Sequence, residues 1–518
     1  MCKFKITTFL FCLFNLYFYN VYSQKLTFKR AIKNFYIGNY EKALNKFQIV
    51  LSYDSSNCNV IYYIGLCYLN LPDSFHKAFN YLKVASECFV LKANTFSFTE
   101  KFAPFDVFYY LAYYYHKSYY LDSALKYINF FIENINENHL LYNKAVYLKR
   151  IINNALQELN DTSEIYIEEV SKVINTKEDE IYPVISEDET LLIFARQKNY
   201  LKKSKKPPII MYSEKIGQKW SDSKPLLLGG KKFYGYPLFL TASKDELYIA
   251  VKNASNYDIY VSYLINNNWS KPKRLSINSE NDENSCSISS DKGVIIFSSD
   301  RPGGFGGKDI YLSKKLPNGE WGLPINLGKK INTPFDEDFP LLLNDNTTLF
   351  FSSNSDKSIG GFDIFVTSII DDTIFSDVQN LAFPLNTIDD EINFKITNDE
   401  KYAYFSSNRY NPEKNFDIYK VFLNTLPERS IVIAKVNVLF KNEKNIDLTE
   451  LKVKIFDKKN NLIGIYLASK RDKKYILALN RNKVYKLTLE YKNKIIGEKE
   501  IKIEPDAEKF LEFDLIFE

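Results

Sequence analysis

Four pairs of adjacent acids recur along the middle of this 518-residue chain: Asp179-Glu180, Asp282-Glu283, Asp336-Glu337 and Asp389-Asp390. Paired carboxylates do general acid and base work on glycosidic bonds, and a ring of them could hold a divalent cation. A catalytic pair, however, need occur only once, with its two environments pushing the two pKa values apart. Regular recurrence points to architecture, with metal-holding acids around an axial channel as the sharper alternative. A second series consists of Asp258, Asp309, Asp363 and Asp417, each followed by Ile and an aromatic residue and spaced 51, 54 and 54 residues apart. Glycine-rich stretches, SSDRPGGFGGKD and SSNSDKSIGGFD, lead into two of them.

A phosphate-binding reading of those stretches fails on context. Phosphate loops precede a helix, whereas these precede strand-like DIYL and DIFV, and no Gly-Lys-Ser or Gly-Lys-Thr follows. In sister copies Asn256-Tyr257 and Asn415-Phe416 replace Gly306-Gly307 and Gly360-Gly361, so the expected common property is tolerance of positive φ. The Asp that follows is expected to accept hydrogen bonds from the turn's backbone N–H groups.

Other chemistries are short of parts. The three histidines, His76, His116 and His139, all lie in the helical first part, which excludes a Ser-His-Asp or two-His metal site within the β regions. Beyond the leader, Cys58, Cys67, Cys88 and Cys286 show no CxxC spacing. The first three permit a disulfide whose pairing the sequence does not identify, and Cys67 and Cys286 read as buried thiols. No catalytic residue, metal or cofactor is expected.

The elements that must position these residues fall into three regimes. From 24 to 160 the pattern is helical and repeating. AIKNFYIGNYEKALNKF, IYYIGLCYLN with HKAFNYLKVA, and FYYLAYYYHKSYYLDSALKYINFF place Gly38, Ala43, Gly65, Ala78, Ala112 and Ala124 where two antiparallel helices approach closely. The tyrosines between Tyr109 and Tyr120 read as inter-helix packing.

From 161 to 425 short strand-like segments bounded by turns take over, repeated four or five times at a period near 50. Each unit has an approach strand, a turn such as SxDK, an alternating strand, the Gly or Asn loop, a DIY strand, and an outermost strand carrying Trp269, Trp321 or Phe375. The first unit is the most diverged, with Ile209 or Ile210 at the Asp position. VINT, SINS, KINT and PLNT mark the unit ends, and VINT already precedes the first unit. That offset would let the first strand complete the last blade and close a β-propeller of five blades, six if one is hidden in diverged sequence.

From 429 to 518 alternating segments such as LKVKIFDKKNNLIGIYLAS predict a small antiparallel β-sandwich of six or seven strands. The fold class expected is thus multidomain, α followed by all-β.

At the start, residues 1–23 combine Lys3 and Lys5 with a short apolar run and read as a secretory signal peptide, an uncleaved anchor being the alternative. Export to the periplasm follows. The formal charge of +5 is spread along the chain and gives no concentrated basic face for nucleic acid.

The repeated SSxR, Gly-rich gap and DIY or DIF units resemble the WD40-like Asp-Ile-Tyr propeller repeats of TolB-type periplasmic proteins. The helical repeats resemble tetratricopeptide repeats, and VKIFDKKNNLIGIYLAS with KKYILALNRNKVYKLTLEY resembles a carboxypeptidase regulatory-like domain, a transthyretin-like sandwich without catalytic residues. The order of parts is similar to PorE-type proteins of the type IX secretion system of Bacteroidota, which continue into an OmpA-like domain that binds peptidoglycan. Here the sequence ends at Glu518 without such a domain, so direct peptidoglycan binding is not expected. The resemblance implies a non-enzymatic envelope scaffold, peripheral to the outer membrane, binding other envelope proteins through the helical groove and the propeller face. The alternative is a carbohydrate- or metal-binding propeller acting as a hydrolase through channel carboxylates.

Overall fold

The computed structural model describes residues 22–158, 166–198, 207–253, 255–344, 346–371, 374–375, 377–397, 401–409, 415–423, 431–441, 446–458, 460, 462–468, 473–480, 483–504 and 510–517. Almost all of the leader, residues 1–21, lies outside them. The chain separates into two compact units, Met1–Ile152 and Asn153–Glu518.

The first unit is built of helices at 22–36, Tyr40–Tyr53, Cys58–Leu69, Ala78–Ala85, Val107–His116, Leu121–Glu133 and Tyr142–Glu158. Small residues set the helix approach. Ala43, Ala78, Ala112 and Ala124 are fully buried, and a Cβ on Gly65 would come within 2.8 Å of the Leu82 side chain. Gly38 departs from the helix-crossing role expected of it. It adopts φ +79° with nothing near its missing Cβ, so it terminates one helix and lets the chain turn into the next. Tyr114 stacks on Phe75 and Phe79 at centroid distances of 5.0 and 5.4 Å, and Tyr115 stacks on Tyr127 at 5.3 Å. Cys58 pairs with Cys88, tying the long 86–106 connection to the start of the third helix, while Cys67 and Cys286 are free and buried.

The second unit is β-rich, and five of its sheets share one plan. Their first strands are Asp179–Ile185, Tyr236–Leu240, Ser285–Ile288, Glu337–Leu342 and Glu391–Ile396. Each pairs antiparallel with the strand that follows, and that with a third. The first strands pack in order, and the fifth returns to the first. Tyr166–Glu169 pairs antiparallel with Asp417–Phe422, so the earliest strand of the unit completes the last sheet. The outer edge is more broken than its sequence suggests. Trp269 and Phe375 lie on two-residue strands beyond the outermost ladder, and Trp321 makes only an isolated bridge to Lys315. The edge itself is formed by pieces such as Ile325–Asn326 and Gln379–Asn380.

Residues 431–517 form two further sheets of three and four strands around a core of Val436, Val453, Leu477 and Leu487. One ladder departs from the all-antiparallel expectation, because Ile431–Phe440 pairs parallel with Phe510–Phe517.

Candidate functional site

Where one of the five sheets meets the next, a single hydrogen-bond module recurs. Asn332 lies across the strand opening of the preceding sheet, its Oδ1 accepting from Ile310 N at 2.7 Å and its Nδ2 donating to Ile310 O at 2.9 Å. Asn175, Asn278 and Asn386 do the same to Ile418, Ile259 and Ile364. One residue on, Thr333 donates N–H and hydroxyl to the two oxygens of Glu337, both at 2.7 Å, and Thr176, Ser279 and Thr387 treat Glu180, Glu283 and Glu391 alike. The Asp before each Glu reaches back across the seam. Asp179, Asp282, Asp336 and Asp390 accept from the N–H of Phe416, Tyr257, Lys308 and Phe362 at 2.7 to 3.0 Å.

Arginine completes part of the module. Arg301 and Arg409 each lie over two rings of their own sheet and donate to Glu283 and Glu391 at 3.0 and 3.1 Å, and Arg196 donates to Glu180 at 2.6 Å. Burial, against these donors, raises the pKa of Glu180, Glu337 and Glu391.

Seven of the eight acids read as candidates for the channel, all but Asp389, are therefore placed at the seams, their carboxylates accepting from the donors just named. Register also corrects the last pair. The doublet equivalent to Asp336-Glu337 is Asp390-Glu391, and Glu391, a residue the sequence reading missed, carries the second role. Asp389 takes another part, its N–H donating to the Thr387 hydroxyl. At the axis stand aromatic rings. Tyr182 of the first sheet stacks on Tyr236 of the second at 4.4 Å and meets Phe339 of the fourth edge-on at 5.1 Å. Tyr182 and Phe339 hold φ of 56° and 54° at bulges in their strands, a cost borne where a side chain is re-aimed. Among the described residues, no three His, Cys, Asp or Glu side chains gather as around a metal ion.

The Asp series is used in the loops. Asp309 accepts from Phe305 N and Gly306 N at 2.7 and 3.0 Å, and Asp363 from Ile359 N at 2.7 Å and Asn380 Nδ2 at 2.6 Å. Asp258 is held by Asn253, Asn256 and Arg274. The corresponding loop before Asp417, at 410–414, lies outside the described residues. Burial, with Glu391 and Asp390 nearby, pushes the Asp363 carboxyl well above its usual range. The expectation of positive φ at the paired glycines is overturned. Gly306, Gly307, Gly360 and Gly361 are absent from the positive-φ positions, and what requires glycine is the approach of the next sheet. A Cβ would lie 2.0 Å from Phe335 O at Gly306 and 2.0 Å from Asp390 Oδ1 at Gly361.

Four seams carry this module, including the one where the fifth sheet closes on the first. The seam between the first and second sheets does not. One backbone bond survives there, from Gly235 N to Pro208 O at 3.0 Å, matching Glu337 N to Lys308 O. It places Gly235 at the Glu position and Ile209 at the Asp position of the preceding loop, which resolves the choice between Ile209 and Ile210. Counting back from Gly235, Tyr234 stands for the Asp, Lys231 for the Thr and Gly230 for the Asn. Every side-chain partner of the module is gone.

At that seam the surface opens into a cleft of about 1090 Å³ lined by residues including Gln197, Pro208, Lys231, Tyr234, Tyr257 and Asn284. Leu227–Leu228 and Lys231–Lys232 form its outer hairpin. Divergence of the first repeat is the only sequence signal of this cleft, and it was legible only as divergence.

No family model matches the chain, and no curated protein matches it. Among solved structures, TolB from Acinetobacter baumannii is 15% identical with a TM-score of 0.32, over 49% of this chain and 56% of that one. A putative TolB from Agrobacterium tumefaciens is 15% identical with a TM-score of 0.29, over 50% and 98%. The periplasmic gluconolactonase of Pseudomonas aeruginosa is 8% identical with a TM-score of 0.29, over 63% and 86%. The match thus spans little more than half the length of the first of these. Among the described residues, no helix is long and apolar enough to cross a membrane.

Proposed function

We propose that this chain is an exported, non-enzymatic binding scaffold of the cell envelope, peripheral to the outer membrane and linked to type IX secretion or envelope assembly. In this reading a five-bladed propeller stands between tetratricopeptide-type helices and a regulatory-like sandwich, and other envelope proteins dock on the helices and the propeller face. The observation that carries it is the use made of the recurring acids. Residues that would serve as a carboxylate pair have their oxygens taken up by backbone N–H groups, hydroxyls and arginines, with Glu180, Glu283, Glu337 and Glu391 fully buried.

Exposed apolar side chains on the helical unit support the docking role. Tyr36 and Phe96, 59% and 62% exposed, stack on one another at 5.4 Å. Affinity capture from envelope extracts with the full chain and with a chain lacking residues 25–160 tests the reading. It predicts partners retained by the full chain and lost by the shorter one. Identical partner sets, or hydrolysis of glycosides by the purified chain that Glu337→Gln abolishes, would contradict it.

A further inference from the structure

We propose that the cleft between the first and second sheets binds an acidic oligosaccharide. This goes beyond the scaffold reading and does not depend on what the helical unit binds. The repeat itself singles out the place: four seams carry an Asn, a Thr or Ser, an Asp and a Glu, and the fifth has Gly230, Lys231, Tyr234 and Gly235 there instead. Substituting a lysine for the threonine exchanges an internal donor for an outward cation.

The charge around the opening is one-sided. Lys231, Lys232, Lys252 and Lys271 all line it and all are exposed. Among the described residues no carboxylate forms an ion pair with any of the four. The lining's one acid, Asp282, already accepts Tyr257 N at 2.7 Å. A concave surface lined by one sign of charge concentrates ligands of the other. At about 1090 Å³ the cleft exceeds the roughly 300–1,000 Å³ typical of small-molecule sites, so it has room for an oligomer rather than a single anion.

What the walls offer separates a sugar from an acidic peptide. An extended peptide adds to a sheet through unpaired backbone groups. Here the outer strand edge in the lining is the two-residue Lys231–Lys232, too short to template an extended peptide, and amides at the seam are already used: Gly229 N donates to Trp269 O at 2.9 Å, Gly235 N to Pro208 O at 3.0 Å and Ile210 N to Phe233 O at 3.2 Å. Tyr234, 47% exposed, presents a ring against which a pyranose can lie; Gln197 and Asn284, whose oxygens accept from Tyr236 Oη and Lys308 Nζ, offer their NH2 groups to hydroxyls, and the lysines answer carboxylates or sulfates.

The test is titration calorimetry of the full chain with a galacturonic acid hexamer and a heparin hexasaccharide, against neutral maltohexaose and hexaglutamate. The expected result is that at least one acidic sugar binds, that binding weakens as salt is raised, and that Lys231→Ala with Lys232→Ala lowers affinity by about tenfold. Tyr234→Ala should weaken it too, whereas Lys314→Ala with Lys315→Ala, on the third sheet, should leave it unchanged. All three variants change exposed side chains, and a thermal melt confirms their fold. The proposal is overturned if neither acidic sugar outbinds maltohexaose, if the Lys231 and Lys232 double variant binds as the native chain does, or if hexaglutamate binds at least as tightly.

Discussion

Four seams of the five-sheet ring are closed by the same residues, while the one between the first and second sheets keeps a backbone bond and discards the side chains. The two kinds of seam show what the recurring acids are for. Where they are present, the Asp carboxylate and the Asn amide bond across the seam to the neighbouring sheet, while the buried Glu braces the connection that carries them; hydrogen bonds to such charged groups are worth about 1.5–3 kcal/mol each. Where they are absent, the sheets still meet but a cleft opens and lysines face outward. Closure and binding use the same backbone position for different ends.

The largest effect in breaking this contrast is expected at Glu391, whose removal leaves Arg409 buried without its carboxylate. Glu391→Ala should cost about 4 kcal/mol in urea unfolding, with Glu391→Gln milder. Next comes Gly361→Ala, which would drive a Cβ against Asp390 and should cost about 1–3 kcal/mol. At Gly230, in the open seam, a Cβ would meet nothing within 4 Å, so Gly230→Ala should cost only the strain of its φ of +75°, about 1 kcal/mol.

Acid should separate the ring's two ends. Asp363 and Glu391 keep a proton to higher pH in the fold than in the unfolded chain, so between the unfolded and folded values the fold binds more protons and stability falls as pH rises. At the opposite end, burial works against the charge of Asp188, but hydrogen bonds from Lys244, Ser186 and Thr190 outweigh it and hold the carboxyl below its usual range. That contribution is present above the unfolded value and is lost as pH falls through the folded one. Asp363→Asn should therefore flatten the decline in stability as pH rises above about 4, the unfolded value, and Asp188→Asn the loss on the acid side, both read by unfolding at a series of pH values. The smallest effect belongs to Lys231→Ala with Lys232→Ala, expected within about 0.5 kcal/mol of the native stability.

Much of this plan could be read from the chain. The spacing of Asp258, Asp309, Asp363 and Asp417 marked the repeat, and VINT ahead of the first unit pointed to the strand at Tyr166–Glu169 that completes the last sheet. What escaped was anything requiring a view across a seam. Asn175, Asn278, Asn332 and Asn386 were visible as part of the recurring VINT, SINS, KINT and PLNT, but their grip on a strand of another sheet is non-local. Glu391 was hidden by the neighbouring Asp389-Asp390, which mimicked the doublet one residue early. The glycines before Asp309 and Asp363 were given a conformational role because the atoms that exclude a side chain belong to the following repeat. The cleft was least legible, since it is defined by what one repeat lacks.

Amide hydrogen exchange measures the contrast most directly. Slow exchange is expected at Tyr257, Lys308, Phe362 and Phe416, whose N–H groups bond to the seam carboxylates, and at Ile259, Ile310, Ile364 and Ile418, whose N–H groups bond to the seam asparagines. Faster exchange is expected across 230–234, with the galacturonic acid hexamer or heparin hexasaccharide slowing that stretch alone. Equal protection at all five seams, or protection by the sugar at the four closed ones, would contradict it.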